Sequence, residues 1–212
     1  MIIIGLKMKT NNILDLLNEM VPDPKCELVY KKDYELLIAI MLSAQTTDKR
    51  VNQVTSVLFD KYDNLEKLSS AETFDIEDII RPLGSFRKKA LYIKEIATIL
   101  FKEYGGVVPI KRELLEKLPG VGRKTVSVFL SEFYSYPEFA VDTHVYRVSK
   151  RLGISSSKDD VLKTEEKLKK FFPKEEWANR HKQLVLFGRY ICKATKPECS
   201  NCKLKEYCKF YK

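Results

Sequence analysis

The chain reads as all-α, and three observations predict it. Apolar residues recur at helical spacing in one stretch after another. No run alternates apolar and polar residues in the manner of a half-buried strand. Glycine or proline closes several of the helical stretches. Apolar residues make up 44% of the 212, enough for a buried core and too many for a disordered chain.

The elements follow in order. Residues 10–21 carry Ile13, Leu16, Leu17 and Met20 at helical spacing, and Pro22 and Pro24 stop them. Residues 33–43 are apolar on most faces and predict a buried helix. Asp48 is placed to cap a third helix striped by Val51, Val54, Val57 and Leu58. Shorter helices are expected over 63–70 and 73–83, and a long amphipathic one over 87–104, ended by Gly105-Gly106. A short helix over 110–118 is interrupted by Pro119-Gly120-Val121-Gly122, and a helix resumes over 123–133. Residues 142–152 follow, closed by Gly153. Ser157 with Asp160 forms a capping-box pattern for a helix to Phe172, and 177–190 is the last long helix.

Lys and Arg number 38 against 29 Asp and Glu, a net charge of +9, which points to an anionic partner, most simply nucleic acid. No apolar run approaches the ~20 residues of a membrane span. The opening MIIIGLKMK is too short and too soon charged for a secretory signal, so a cytoplasmic location is expected.

Four of the five cysteines, Cys192, Cys199, Cys202 and Cys208, are spaced C-x6-C-x2-C-x5-C near the C-terminus. Four thiols on one short loop of a cytosolic chain suit a shared metal better than disulfides. Structural zinc prefers paired C-x2–4-C arms, whereas here only Cys199 and Cys202 form a close pair. One loop wrapped around a [4Fe–4S] cube suits the spacing better, with zinc as the alternative. Cys26 stands apart as a small buried hydrophobe.

Leu118-Pro-Gly-Val-Gly-Arg-Lys124 joins two helices through a turn with glycines two apart. Glycine permits a close backbone approach, and the amides opening the second helix form an anion site. On a basic protein the expected anion is a DNA phosphate, so the pattern is that of a helix-hairpin-helix. Lys124, in the first helical turn, is either one more phosphate-binding lysine or, with the helix dipole and partial burial disfavouring its ammonium, a nucleophile toward a sugar C1′. In Val141-Asp142-Thr143-His144-Val145, Asp142 is placed as an N-cap. Beside a nucleophilic amine its carboxylate could also assist deprotonation and stabilise positive charge developing on a sugar. His144 is placed to face the same site, and His181 is expected at the surface.

The stretches SAQTTDKRVN (43–52), LPGVGRKT (118–125), VDTHVYRV (141–148) and GRYIC followed by C-x2-C-x5-C (188–208) occur in the order seen in endonuclease III. From about residue 10 to 208 the chain resembles that family, part of the helix-hairpin-helix DNA glycosylase superfamily. The resemblance implies two all-α lobes with a DNA-binding cleft. One is a six-helix barrel over 26–136. The other joins 1–25 to 137–212 and carries the [4Fe–4S] cluster on Cys192, Cys199, Cys202 and Cys208.

It further implies a bifunctional DNA glycosylase and abasic-site lyase that flips an oxidised pyrimidine out of double-stranded DNA. In that role Lys124 and Asp142 are catalytic, and Gln45 fills the gap left by the flipped nucleotide. Gly120, Val121, Gly122 and Arg123 grip the backbone, His144 faces the cleft, and Lys196 approaches phosphates. The cluster takes no turnover part in base release, and the protein acts as a monomer at the nucleoid. A monofunctional thymine or uracil mismatch glycosylase, or a non-catalytic iron–sulfur DNA-binding module, are the alternatives. Relatives of the mismatch type typically replace the hairpin lysine. One departure stands out: Ser85 lies where the family often has a leucine wedge, leaving Phe86 as a candidate wedge and Arg87, Lys88 and Lys89 as candidate phosphate contacts.

Overall fold

The computed structural model describes residues 2–211, and all regular secondary structure among them is helical. The helices are α1 (Ile2–Met20), α2 (Asp33–Leu42), α3 (Asp48–Lys61), α4 (Leu65–Ser70), α5 (Thr73–Ile80), α6 (Phe86–Glu103), α7 (Arg112–Leu115), α8 (Arg123–Tyr134), α9 (Thr143–Arg151), α10 (Val161–Phe171) and α11 (Trp177–Leu186). They form two compact units. Cys26–Tyr134 holds α2–α8, and the segments before and after it hold α1 and α9–α11.

The first unit is organised around α2. Every residue from Tyr34 to Leu42 is buried, as the all-round apolar pattern requires. Helices α3, α6 and α8 pack on it, and α4 and α5 pack on α6. Helix α6 buries Ala90, Ile93, Ile96, Ala97 and Leu100, the stripe that a 3.6-residue period sets on one face. It ends where the glycine pair demands. Gly105 (φ +61°) and Gly106 (φ +83°) are left-handed, and the Gly106 amide reaches back to the Leu100 carbonyl at 2.9 Å. Glu35 is buried, but its Oε2 accepts the Lys31 amide at 2.6 Å and so closes the start of α2. Asp33 Oδ2 accepts the Val108 amide at 2.8 Å, tying that start to the chain beyond α6.

The second unit packs Ile13 and Leu17 of α1 with Phe139, Val145, Val148, Leu168, Leu184 and Phe187. A buried polar knot fastens α1 to α11. Arg180 donates to Asn18 Oδ1 at 2.7 Å and pairs with Glu176 at 2.6 Å, while Gln183 Nε2 donates to the Val21 carbonyl at 2.9 Å. Among the described residues, no helix is long and apolar enough to cross a membrane.

Several boundaries depart from the sequence pattern. Thr47, not Asp48, caps α3, its hydroxyl accepting the Arg50 amide at 3.3 Å, and Asp48 is the first helical residue. Asn64 caps α4, α5 stops at Ile80, and α7 is a single turn within the expected 110–118. The last long helix changes to a π-turn over Phe187–Ile191, closed by the Cys192 amide on the Phe187 carbonyl at 2.7 Å. His181 is buried rather than at the surface, with its Nδ1 2.9 Å from the Ala140 carbonyl. The Ser157 capping box does not form. Asp160 itself caps α10, accepting the Lys163 amide at 2.7 Å. Just before it, the Lys167 ammonium and the Ser156 amide hold the Asp159 carboxyl down to about 2.

The cap assignment is testable by thermal or urea unfolding. Asp160→Ala should cost about 1 kcal/mol, and Ser157→Ala less than about 0.5 kcal/mol. The reverse order would restore the capping box.

Candidate active site

In the first unit the chemistry-bearing residues sit on the turn between α7 and α8. Leu115, Leu118, Val121 and Val126 are buried and anchor the turn from below, and Arg112 Nη2 donates to Ser127 Oγ at 3.0 Å across the two helices. The Val121 amide closes onto the Leu118 carbonyl at 3.1 Å, and the Gly122 carbonyl accepts from Val126 at 3.1 Å to open α8. Gly120 has φ +72°, and a Cβ there would lie 2.4 Å from the Tyr92 ring. Gly120, Gly122, Arg123 and Lys124 are all exposed. Lys124, the second residue of α8, therefore lacks the partial burial expected for it and keeps the helix N-terminus as its local field.

Two other loops of this unit carry sequence-predicted positions. Gln45 is exposed just beyond α2 with φ +60°, and Ser85 is exposed before α6 with φ +57°. Such left-handed backbone is uncommon for residues other than glycine. Phe86 is half-buried against the core, with the Arg81 and Arg87 guanidinium carbons 5.5 and 5.1 Å from its ring centre. Lys89 leaves the expected phosphate-binding set altogether. It is 7% exposed, and its Nζ donates to the Leu42 and Ala44 carbonyls, both at 3.0 Å. Arg87 and Lys88 stay exposed.

In the second unit Asp142 is the N-cap of α9, its Oδ1 accepting the Val145 amide at 2.7 Å. His144 packs on the π-turn, where a Cβ on Gly188 would lie 2.9 Å from its own, and its Nδ1 is 3.2 Å from Arg147 Nη2. Arg147 donates to the Gly188 and Cys192 carbonyls at 2.6 and 3.1 Å. One turn on, Arg151 reaches Cys192 Sγ at 3.3 Å and the Lys193 carbonyl at 2.8 Å, and lies 4.1 Å from the Phe210 ring centre. Sequence reasoning missed both arginines. Their i,i+4 spacing on the helix begun by Asp142 was the available signal. Lys196 is exposed at φ +49° ahead of Pro197.

The four clustered cysteines line one cavity of about 410 Å³, part of it open to solvent. Among the described residues, no three His, Cys, Asp or Glu side chains converge on one ion position. Zinc needs four sulfurs within bonding reach of one point, whereas a cube of iron and sulfide needs them spread around a volume. Burial and the nearby Cys192, Cys208 and Cys199 push the Cys202 thiol up, against a hydrogen bond from the Leu204 amide. Two of these sulfurs have donors beside them, Arg151 Nη1 at Cys192 and the Leu204 amide at Cys202, as thiolates holding a metal group need. Cys26 is only partly buried, packed beside the core of the first unit.

The described residues thus combine an all-helical scaffold, a glycine hairpin feeding a lysine-bearing helix, and four cysteines around one cavity. Residues 38–174 match the family of HhH-GPD superfamily base excision DNA repair proteins. Endonuclease III of Bacillus subtilis (strain 168) is 45% identical over 92% of this chain and 90% of its own. A non-covalent endonuclease III–DNA complex superposes with a TM-score of 0.90 at 46% identity, covering 96% of this chain and 95% of that one. A trapped endonuclease III–DNA covalent intermediate gives 0.88 at 47% identity, covering 92% of each chain. A thermostable thymine-DNA glycosylase gives 0.82 at 25%, covering 97% and 96%. The chain belongs to the HhH-GPD superfamily of base excision repair proteins and, within it, to the endonuclease III family.

The two hairpin glycines should separate on substitution. Gly120→Ala forces a left-handed alanine against Tyr92 and should cost about 2–4 kcal/mol in unfolding experiments. Gly122→Ala meets open space and should cost less than about 1 kcal/mol.

Proposed function

We propose that this chain is a bifunctional DNA glycosylase and abasic-site lyase of base excision repair, acting as a monomer on double-stranded DNA that carries oxidised pyrimidines or abasic sites. The observation that carries the reading is Lys124, an exposed amine at the start of a helix behind a glycine turn, in a family with a relative trapped covalently on DNA. The place of action is the cytoplasm, at the nucleoid.

In this reading the Lys124 amine attacks C1′ of the damaged nucleotide. The N–C1′ bond forms as the glycosidic bond breaks, and the base leaves with a proton while the amine loses one. Opening of the sugar ring gives a Schiff base. Loss of a C2′ proton then expels the 3′ phosphate by β-elimination, and water releases the lysine. Asp142, whose carboxylate caps α9, assists deprotonation of the amine and offsets positive charge on the sugar. Gln45 fills the space left by the flipped nucleotide. Gly120, Val121, Gly122 and Arg123 hold a phosphate at the start of α8, with His144 and Lys196 as further DNA contacts. Cys192, Cys199, Cys202 and Cys208 hold a [4Fe–4S] cluster. Bound there, the cluster cross-links the C-terminal loop and takes no redox part in base release.

Borohydride with abasic-site duplex tests the chemistry. The wild-type chain should give a covalent protein–DNA product, and Lys124→Ala should give none. Base release without an adduct would instead indicate a monofunctional mismatch enzyme. Affinity should fall steeply with salt, and Lys196→Ala should reduce the salt slope by about 1.

Cofactor content is read separately. The purified protein should be brown, with about four iron and four sulfide per chain. Cys199→Ser should lose the colour. A colourless protein with one zinc per chain would overturn the cluster.

A further inference from the structure

Lys89 is the one lysine of the expected basic loop that turns inward. It lies in the first full turn of α6, and its amide donates to the carbonyl of Ser85 at 3.1 Å. Its Nζ crosses to α2 and donates to the carbonyls of Leu42, the last residue of that helix, and of Ala44, next to Gln45, each at 3.0 Å. The Thr46 amide closes the same turn onto the Ser43 carbonyl at 3.2 Å. Gln45, next to the Ala44 carbonyl that the ammonium holds, and Ser85, whose carbonyl accepts the ordinary first-turn helical bond from the Lys89 amide, are both left-handed and both exposed. An ammonium suits the carbonyl end of a helix. Burial lowers the Lys89 pKa, so solvent does little to hold the charge there and the two carbonyls face it directly.

We propose that Lys89 is a positioning residue for damage recognition. It fastens the Gln45 turn to the start of α6, so that the Gln45 side chain is aimed before DNA arrives and its loop need not be ordered on binding. This rests on the proposed function, in which Gln45 enters the duplex. A lysine merely stabilising the barrel would affect all DNA alike; a lysine aiming Gln45 affects only DNA with a nucleotide out of the stack.

The test uses the full cluster-loaded chain and duplexes with or without a tetrahydrofuran abasic analogue, which binds but cannot form a Schiff base. Lys89→Met should weaken binding to the abasic duplex about tenfold. Binding to undamaged duplex should stay within about twofold, and single-turnover trapping at saturating true abasic DNA within about threefold. On a Gln45→Ala background, Lys89→Met should add less than about twofold, because the two act as one unit. Hydrogen exchange over residues 43–47 should quicken in Lys89→Met. If that variant does not fold, Lys89→Gln enters the same cycle.

Multiplying single-variant effects, or equal losses on damaged and undamaged DNA, would overturn the clamp. So would failure of both variants to fold, since the lysine would then serve the barrel itself. A wild-type chain that cannot tell abasic from undamaged duplex would instead sink the repair reading.

Discussion

The structure depends on exposed left-handed backbone held from beneath by buried side chains. Gln45, Ser85, Gly120 and Lys196 all have φ between +49° and +72°, and each sits at an exposed loop position. Such conformations persist for non-glycine residues only where the surroundings enforce them. Packing from below is visible at two of the four. Lys89 Nζ holds the Leu42 and Ala44 carbonyls just before Gln45, and Tyr92, further along α6, lies against Gly120. One face of one helix thus supports two of the loop positions proposed to meet DNA. The close-packed core of this unit is centred on α2.

The second unit uses a different device. A single helix, α9, begins at the Asp142 cap and ends with arginines on the first cysteine of the C-terminal loop. The π-turn is what allows this. It carries Gly188 at a point where a side chain would strike His144, and it leaves carbonyls for Arg147 to collect. The carboxylate and the cysteine loop are thereby mounted on the same helix.

Much of this was legible in the sequence. Helices α2, α6, α8 and α9 follow from apolar period and terminal residues, and the hairpin from its glycine spacing. What was not legible involved partners far along the chain. Lys89 reads as one of three consecutive basic residues, and nothing local says that it points at residues 42–44. His181 reads as a surface residue because its partner is a carbonyl 41 positions away. Asp160 and Thr47 were missed by small register errors, since neighbouring polar residues compete for each cap and only the entry angle of the chain chooses between them. The partial burial expected of Lys124 failed for a related reason, because dipole position is local and solvent access is not.

The glycines separate what the fold needs from what a partner needs. Gly120 is required by its own chain, through its φ and through Tyr92. Gly122 and Gly84 are not: neither is left-handed, and a Cβ on either would meet nothing within 4 Å. A glycine in open space with ordinary backbone carries an entropic cost on folding that alanine would reduce. Gly122 immediately precedes α8, in the turn to which the proposed function assigns a phosphate contact, and Gly84 precedes Ser85 at the opening of α6. A surface that has to approach a sugar-phosphate backbone closely has a use for a missing side chain that the isolated fold does not. At Gly122 the missing side chain therefore fits the proposed phosphate contact, independently of any charge on the neighbouring lysine.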